Sequence, residues 1–324
     1  MNKDYKTNQE ILDEVHSSSS SVNVFNLSQK SSDTIQTPEY LNYLLGKGFY
    51  FEDTAGIVFK SVDLFYTRAN ILDNLGIGFD AGLFSIERKR VTKKHSGTRY
   101  GVSVDYENFI FRLGINKFEN FTEIVPSVEY SNRYENHSYK LEYKKQNAMF
   151  YTYSVCPVVS EVSANHFGVS DYITFEGDTD LWASLILNLY DNDDVETTFM
   201  YDWRFYHDTV FSENFTYHLA LEGWYSSHSL QNSCFYSPSF TDSTLVRIDP
   251  QYRFNKHFSI KGKLGLGYSF VEESLQYKYG LWLLGDINKA SSYSLGCLQS
   301  NSAGLSNRSE YSYKECQLSM DYKW

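Results

Sequence analysis

His207 and Asp208 are adjacent, and a histidine beside a carboxylate is a common starting point for hydrolytic chemistry. Chain neighbours cannot by themselves supply an oriented base. No second carboxylate pair accompanies them, so the pair reads as a solvated turn at a strand end. No serine has an evident histidine partner. The four cysteines, Cys156, Cys234, Cys297 and Cys316, include no CxxC pair, which argues against a zinc site. In an oxidising compartment some could pair, but Cys297 and Cys316 fall on apolar strand faces and read as small hydrophobes. Gly262-Lys263-Leu264-Gly265-Leu266-Gly267 and Gly76-Ile77-Gly78 precede no helix, so neither is a phosphate loop. There glycine lets a neighbouring side chain or ligand approach closely. Asn120 and Asn214 open Asn-x-Thr sites, for which the sequence offers no evident use. The sequence predicts no catalytic residue, no metal site and no cofactor.

Composition narrows what must hold these residues. Aromatics make up 17% of the 324 residues, led by 28 Tyr and 23 Phe. Mean hydropathy is nevertheless −0.44, and no apolar run approaches the ~20 residues of a membrane-crossing helix. Average polarity with so many aromatics suits strands showing lipid one face and water the other. Only five prolines are present, as expected where most residues must donate ladder hydrogen bonds. A net charge of −11 argues against nucleic acid as a partner, since the chain as a whole repels a polyanion.

Residues 1–47 are polar and Ser-rich without periodicity and read as a flexible linker. Within them, Pro38 to Leu45 is expected to form a short helix, a plug-like lead-in or a local hydrophobic anchor. No apolar leader occurs in this stretch, which predicts a fragment or a truncated reading frame. From residue 48 the pattern has period two. Tyr100, Val102, Val104 and Tyr106 alternate with polar or small residues, as do Phe199, Tyr201, Trp203 and Phe205, and Ile260, Leu264, Leu266 and Tyr268. Turns are expected at Asn132-Arg133, Asp191 to Asp194, Asn255-Lys256 and Asp286 to Asn288. A soluble sandwich would also alternate, but here Tyr, Phe or Trp repeatedly caps the apolar face at strand ends, as in the aromatic girdles of membrane barrels. At about 9–11 residues per spanning strand plus turns and some long loops, residues 48–324 hold about 14–18 strands, and a tally of the rows gives about 16. The expected fold is all-β, a transmembrane antiparallel barrel over 48–324.

The chain closes on Cys316, Leu318, Met320, Tyr322 and Trp324, alternating against Glu315, Gln317, Ser319, Asp321 and Lys323. A strand ending on an aromatic C-terminal residue resembles the signal read by the outer-membrane barrel assembly machinery, most examples of which end in Phe. Leu318, Met320, Tyr322 and Trp324 are its members. The location this implies is the outer membrane of a Gram-negative bacterium, with the lipid bilayer as a partner.

The alternation also assigns a lumen face. Its acids include Asp80, Asp105, Glu129, Glu142, Asp202, Glu222, Asp249, Glu315 and Asp321. Arg112, Arg204, Arg247, Arg253, Lys261 and Lys263 answer them, so ion pairs between strands are expected to stiffen the wall. Trp224 and Trp282 share this face, and aromatics in a polar channel can stack on sugar rings. Contact with a passing glycan is therefore expected at Trp224, Trp282, Asp202, Arg204, Glu222, Arg247, Asp249 and Arg253.

Two segments carry a family resemblance. Cys234-Phe235-Tyr236-Ser237-Pro238, followed by Ser239-Phe240 and the strand Leu245 to Phe254, resembles an aromatic-Ser-Pro signature of outer-membrane exopolysaccharide exporters. These are the barrels of the cellulose synthase operon protein C and poly-N-acetylglucosamine porin kind. Ser154-Val155-Cys156-Pro157-Val158-Val159-Ser160 is similar to a Ser-Val-Thr-Asp-Ser-Val-Leu-Ser stretch of the cellulose exporter, with Cys156-Pro157 in place of a polar pair. The resemblance covers about residues 140–324; before that only strand rhythm matches. It implies a sixteen-stranded pore passing a biofilm polysaccharide from periplasm to cell surface. Its implied partners are a periplasmic tetratricopeptide-repeat scaffold, of which this chain contains none, and an inner-membrane glycan synthase. A general diffusion porin is the alternative, and an outer-membrane barrel enzyme using His207 and Asp208 stands behind it.

Overall fold

The computed structural model describes residues 42–324 apart from 73–74, 90–93, 176–178, 213, 231–238, 289 and 302–311. The linker expected over 1–47 lies outside the described residues up to position 41. Beyond it, Asn42 to Leu45 is neither a helix nor a lead-in. It opens the first strand, so the barrel begins six residues before position 48.

Sixteen antiparallel strands follow one another around a closed barrel. They are β1 (Asn42–Asp53), β2 (Ile57–Leu72), β3 (Leu75–Arg88), β4 (His95–Tyr106), β5 (Phe109–Phe118), β6 (Thr122–Tyr134), β7 (His137–Asn147) and β8 (Ser163–Phe175). The second half comprises β9 (Thr179–Tyr190), β10 (Val195–Ser212), β11 (Phe215–His228), β12 (Thr241–Asn255), β13 (Phe258–Ser269), β14 (Ser274–Asn288), β15 (Ser291–Ser300) and β16 (Tyr313–Lys323). Turns of two or three residues join the strands at the end that carries Asn42 and Trp324, and connections of three to fifteen residues join them at the other. We call these the terminal end and the loop end.

Two turns fall later than the sequence predicts. Asn132 and Arg133 still pair within β6, with Tyr139 and Ser138, and Asp286 to Asn288 stays in β14. His207-Asp208 is not a turn either, because β10 continues through it to Ser212. In β6 and β14 the ladder extends the strand past polar residues that would start a turn in isolation, since each added pair satisfies two more backbone groups. In β10 the pairing with β11 reaches His207 and resumes at Ser212 after an irregularity.

The outward face is apolar. Val62 is 64% exposed, Leu266 75% and Leu275 79%. Leaving a Leu-sized side chain in water forgoes about 1.5–3 kcal/mol, and dozens of such residues surround this barrel. Only lipid covers such a face, so the fold is a transmembrane barrel. Rings gather where the apolar band ends: Phe109 stacks on Phe111, Trp203 on Phe205, and Tyr322 on Trp324 at 5.2 Å.

Closure rests on β1 and β16, paired from Tyr43↔Lys323 to Asp53↔Tyr313. Asn42 and Trp324 exchange both backbone hydrogen bonds, at 2.9 and 3.1 Å. Next to this seam, Cys297 of β15 and Cys316 of β16 are directly opposed and form a disulfide on the outward face. The apolar face expected for them is correct, but the reading as free small hydrophobes is not. Alternation along one strand shows the face of each cysteine and not the register that brings the two together. Cys156 is disulfide-bonded as well.

Deleting Tyr322 to Trp324 removes the terminal-end pairs of the seam and leaves β1 donors and acceptors facing lipid, at several kcal/mol each. The yield of heat-modifiable barrel on a gel should fall by about tenfold or more. Undiminished assembly would show that this end of the seam is dispensable.

Candidate functional site

The pleat sends alternate side chains inward, and on β10 to β14 these are charged. Arg247 of β12 is the hub. Its Nε donates to Asp249 Oδ1 at 2.8 Å and its Nη2 to Asp249 Oδ2 at 3.0 Å and to Asp202 Oδ2 at 3.1 Å. Its Nη1 donates to Glu222, which also accepts from Lys278. Arg204 holds Asp202 from the other side, with Nη2 at 2.6 Å. Arg204, Arg247 and Asp249 are each about 1% exposed. Charges so deeply covered persist only when paired and hydrogen-bonded. Here a planar guanidinium fork spans three strands and meets three carboxylates at once.

A second network lines the facing wall. Arg99 pairs with Asp63, and Arg112 pairs with Asp80 through Nε at 2.7 Å. Glu142 accepts from Lys140 at 2.8 Å and lies 3.1 Å from His166 Nε2. His166 Nδ1 is 2.7 Å from Asn188 Oδ1. Both walls are thus charged, mixed in sign and held by contacts between strands.

Sequence reasoning missed the segment between the walls. From Asn147 to Ser163 the chain turns into the barrel instead of continuing outward, forming two single-turn helices, α1 (Met149–Thr152) and α2 (Cys156–Val159). Ala148, Met149 and Phe150 are at most 1% exposed. Phe150 packs edge-on against Phe84 at 5.2 Å and Phe59 at 6.2 Å, and Tyr153 stacks on Phe51 at 4.5 Å. A segment rooted on β7 and β8 therefore reaches β1, β2 and β3 across the interior. Its base is tied by Asn147 Nδ2 to Pro157 O at 3.0 Å and by Ala148 N to Val162 O at 2.8 Å. Arg99 lies 5.9 Å from the Phe150 ring, which joins this apolar cluster to the second network. A signal was present in the sequence. Phe49-Tyr50-Phe51, Val58-Phe59 and Leu64-Phe65-Tyr66 are apolar on both faces, which a strand between lipid and open water would not be. The exporter-like stretch Ser154 to Ser160 lies within this inward segment; its companion at 234–238 lies outside the described residues.

The sequence-predicted residues therefore separate. Asp202, Arg204, Glu222, Arg247 and Asp249 come together in one network. Arg253 is exposed near the terminal end of β12, apart from them. Trp224 faces inward, half-buried, opposite Met200 and Ser243. Trp282 also faces inward but is 8% exposed, packed in the apolar cluster with Leu298 and Tyr313 and 5.4 Å from the Lys263 ammonium. It lies flat because Gly296 is beneath it: a Cβ there would come within 2.0 Å of the indole. Leu318, Met320, Tyr322 and Trp324 all face outward. The interior can thus offer fixed charge, hydrogen-bonding groups and two partly buried indoles, Trp224 and Trp182, the second directly opposite Asp202 and not singled out by the sequence. Among the described residues no cluster of His, Cys, Asp or Glu could hold a metal ion.

No family model matches the chain, and no curated protein sequence matches it. Solved structures do match the fold. A bacterial polysaccharide outer membrane secretin superposes with a TM-score of 0.70 at 11% identity, over 88% of this chain and 99% of that one. CdiB from Acinetobacter baumannii gives 0.50 at 8% identity, over 87% of this chain and 60% of that one. At such identities the likeness is one of fold, that of outer-membrane barrels.

Arg247→Met leaves Asp202, Glu222 and Asp249 without their common partner, at a cost of about 3–5 kcal/mol. Denaturant unfolding of the barrel in detergent should register it. Arg247→Lys, which keeps the charge but not the fork, should lose less. An unchanged midpoint in Arg247→Met would show that the network contributes nothing to stability.

Proposed function

We propose that the chain is an outer-membrane pore that exports an exopolysaccharide from the periplasm to the cell surface. The observation that carries this reading is the polar, charge-balanced interior of a closed sixteen-strand barrel. Its end-to-end likeness to a protein described as a polysaccharide secretin supports the reading, and so does the exporter-like stretch on the inward segment. The terminal end, with its short turns, then faces the periplasm, and the loop end faces outward.

Export asks no bond chemistry of the barrel. A synthase drives the polymer, a periplasmic scaffold delivers it, and the wall must present polar groups without gripping. Arg247 and its three carboxylates do this, because each is already engaged by another and no single charge is left to hold a sugar. Trp224 offers the ring face against which a pyranose can slide. Trp282, pinned over Gly296, shapes the wall beside it. Lumen acids and bases nearly balance, so the pore is weakly cation-selective, with the excess acidity of exposed turn residues such as Asp191 and Asp193 screened within about 8 Å at physiological salt.

The inward segment narrows the bore. Phe150→Ala removes about 3–5 kcal/mol of packing that docks it, and single-channel conductance across a planar bilayer should rise. Unchanged conductance would place the segment outside the conducting path. In cells, deleting the gene should stop release of matrix polysaccharide. Trp224→Ala should lower release severalfold while ion conductance stays near wild type; Glu222→Gln and Asp249→Asn should affect release less. Normal matrix in the deletion strain, together with slower uptake of small solutes, would establish a general diffusion porin instead.

A further inference from the structure

At the loop end the outward face is not uniformly neutral. Lys60 near the start of β2, Lys117 at the end of β5, Lys145 at the end of β7 and Lys314 at the start of β16 are all exposed. Each continues an outward row that is otherwise apolar or aromatic: Val62 and Leu64, Ile115 and Leu113, Tyr143 and Leu141, Leu318 and Met320. Lys89 and Lys94, also exposed, flank the connection from β3 to β4. The arc thus runs from β16 through β1 to β7. Neighbouring strands stand about 4.8 Å apart, so these cations recur roughly every 10–15 Å along it.

The rest of the rim contrasts with this arc. From β8 to β15 no described outward residue near the loop end is basic; the positions hold Asn165, Leu189, Thr197, Ser227, Tyr268 and Leu275. The cations also stand out against a net charge of −11 for the chain. Lys89 is paired with Glu52, which also stands directly opposite Lys314, and Lys60 lies 5.6 Å from the ring of Tyr50. Glu87 lies on the same outward rim, so lysines outnumber the acids on this arc. Lys94, Lys117 and Lys145 have no acidic partner among the described residues. Solvation alone does not explain lysines continuing apolar rows on one side of a barrel. At this height they meet the headgroups of the leaflet beyond the loop end, where long side chains extend their ammonium groups towards anionic groups.

We infer that this arc is an interface for a phosphorylated glycolipid of the outer leaflet, the lipopolysaccharide, whose phosphates it neutralises. Lysine suits the task, being a compact charge on a flexible stem that needs no fixed angle of approach. Tyr50 and Tyr143, on the same outward arc, lie where lipid chains give way to headgroups. Barrel and lipid would therefore dock in a preferred rotational setting, lysine arc to lipopolysaccharide. The inference rests on the loop end facing the outer leaflet and is independent of what passes through the lumen.

The test uses the whole chain folded in zwitterionic detergent. Its probes are rough lipopolysaccharide, the same lipid stripped of phosphate, and inorganic phosphate as competitor. Binding is read by native mass spectrometry, and folding by heat-modifiable mobility. The quadruple variant K60Q/K117Q/K145Q/K314Q should retain the phosphorylated lipid about tenfold more weakly than wild type. The matching Lys→Arg variant should retain it as wild type does, as should Lys256→Gln at the terminal end. Dephosphorylated lipid should bind every protein equally weakly, and inorganic phosphate should not displace the intact lipid. Equal retention by the wild type and the quadruple Gln variant, or no preference for the phosphorylated lipid, overturns the inference. Displacement by inorganic phosphate also overturns it, by reducing the arc to a simple anion site.

Discussion

In hydrocarbon every backbone N–H and C=O must find a partner within the protein, and an unmet group costs several kcal/mol. Most of this chain's architecture follows from that constraint. It forbids a free edge, so β1 must find β16 although their paired residues lie at opposite ends of the sequence. Closing the sheet fixes an inside and an outside, and the pleat then sorts every residue between them. Leu318 meets lipid and Glu315 meets the interior because they differ by an odd number of positions. The Cys297–Cys316 disulfide joins the last two strands, tying β16 to its first neighbour beside the seam that must still close.

The interior poses a second problem, because a sixteen-strand barrel encloses more space than its wall residues fill. This chain fills it in two ways. On β10 to β14, long charged side chains pair across strands, and Arg247 alone engages three carboxylates. At the loop end of β1 to β5, lumen-facing Phe51, Phe59, Phe84 and Phe118 are covered by a segment from β7 and β8. Packing against rings and pairing with charges are different physics, yet they meet at Arg99, which binds Asp63 and lies against the Phe150 ring.

How much of this was legible depends on range. Strand identity is a local, repeated signal, and the period-two rows through Tyr100, Phe199 and Ile260 led to about sixteen strands, a count that the closed barrel makes definite. The lumen face of Asp202, Glu222 and Arg247 followed from parity alone. What parity cannot supply is register, and so the pairing of Cys297 with Cys316 and the convergence on Arg247 were beyond reach. Neither can it show a connection that turns inward. The double-faced apolar runs at Phe49 to Phe51 and Leu64 to Tyr66 were the visible trace of the inward segment, but they name no partner. Asn42 to Leu45 was misplaced because propensity near a flexible stretch is weak. There the deciding term is the hydrogen bonding of β1 to β16, a partner almost three hundred residues away.

These two ways of filling the barrel bear on transport. A conduit works when its contacts are favourable enough to admit a chain and weak enough to release it. An isolated buried carboxylate would hold a sugar hydroxyl or an amine strongly, since the low local dielectric strengthens each such bond. Pairing removes that hazard, because Glu222, accepting from Arg247 and Lys278, has little capacity left for a passing sugar. The wall is polar enough to wet and too self-satisfied to grip. An indole differs in kind, because stacking on a ring face has no fixed register and yields gradually as a polymer advances. Under the proposed export function, a wall of cross-linked charge with partly buried indoles is what continuous movement of a neutral or weakly charged polymer would ask for. The same pairing explains why removing Arg247 should be felt as instability, whereas altering Trp224 should be felt in what passes.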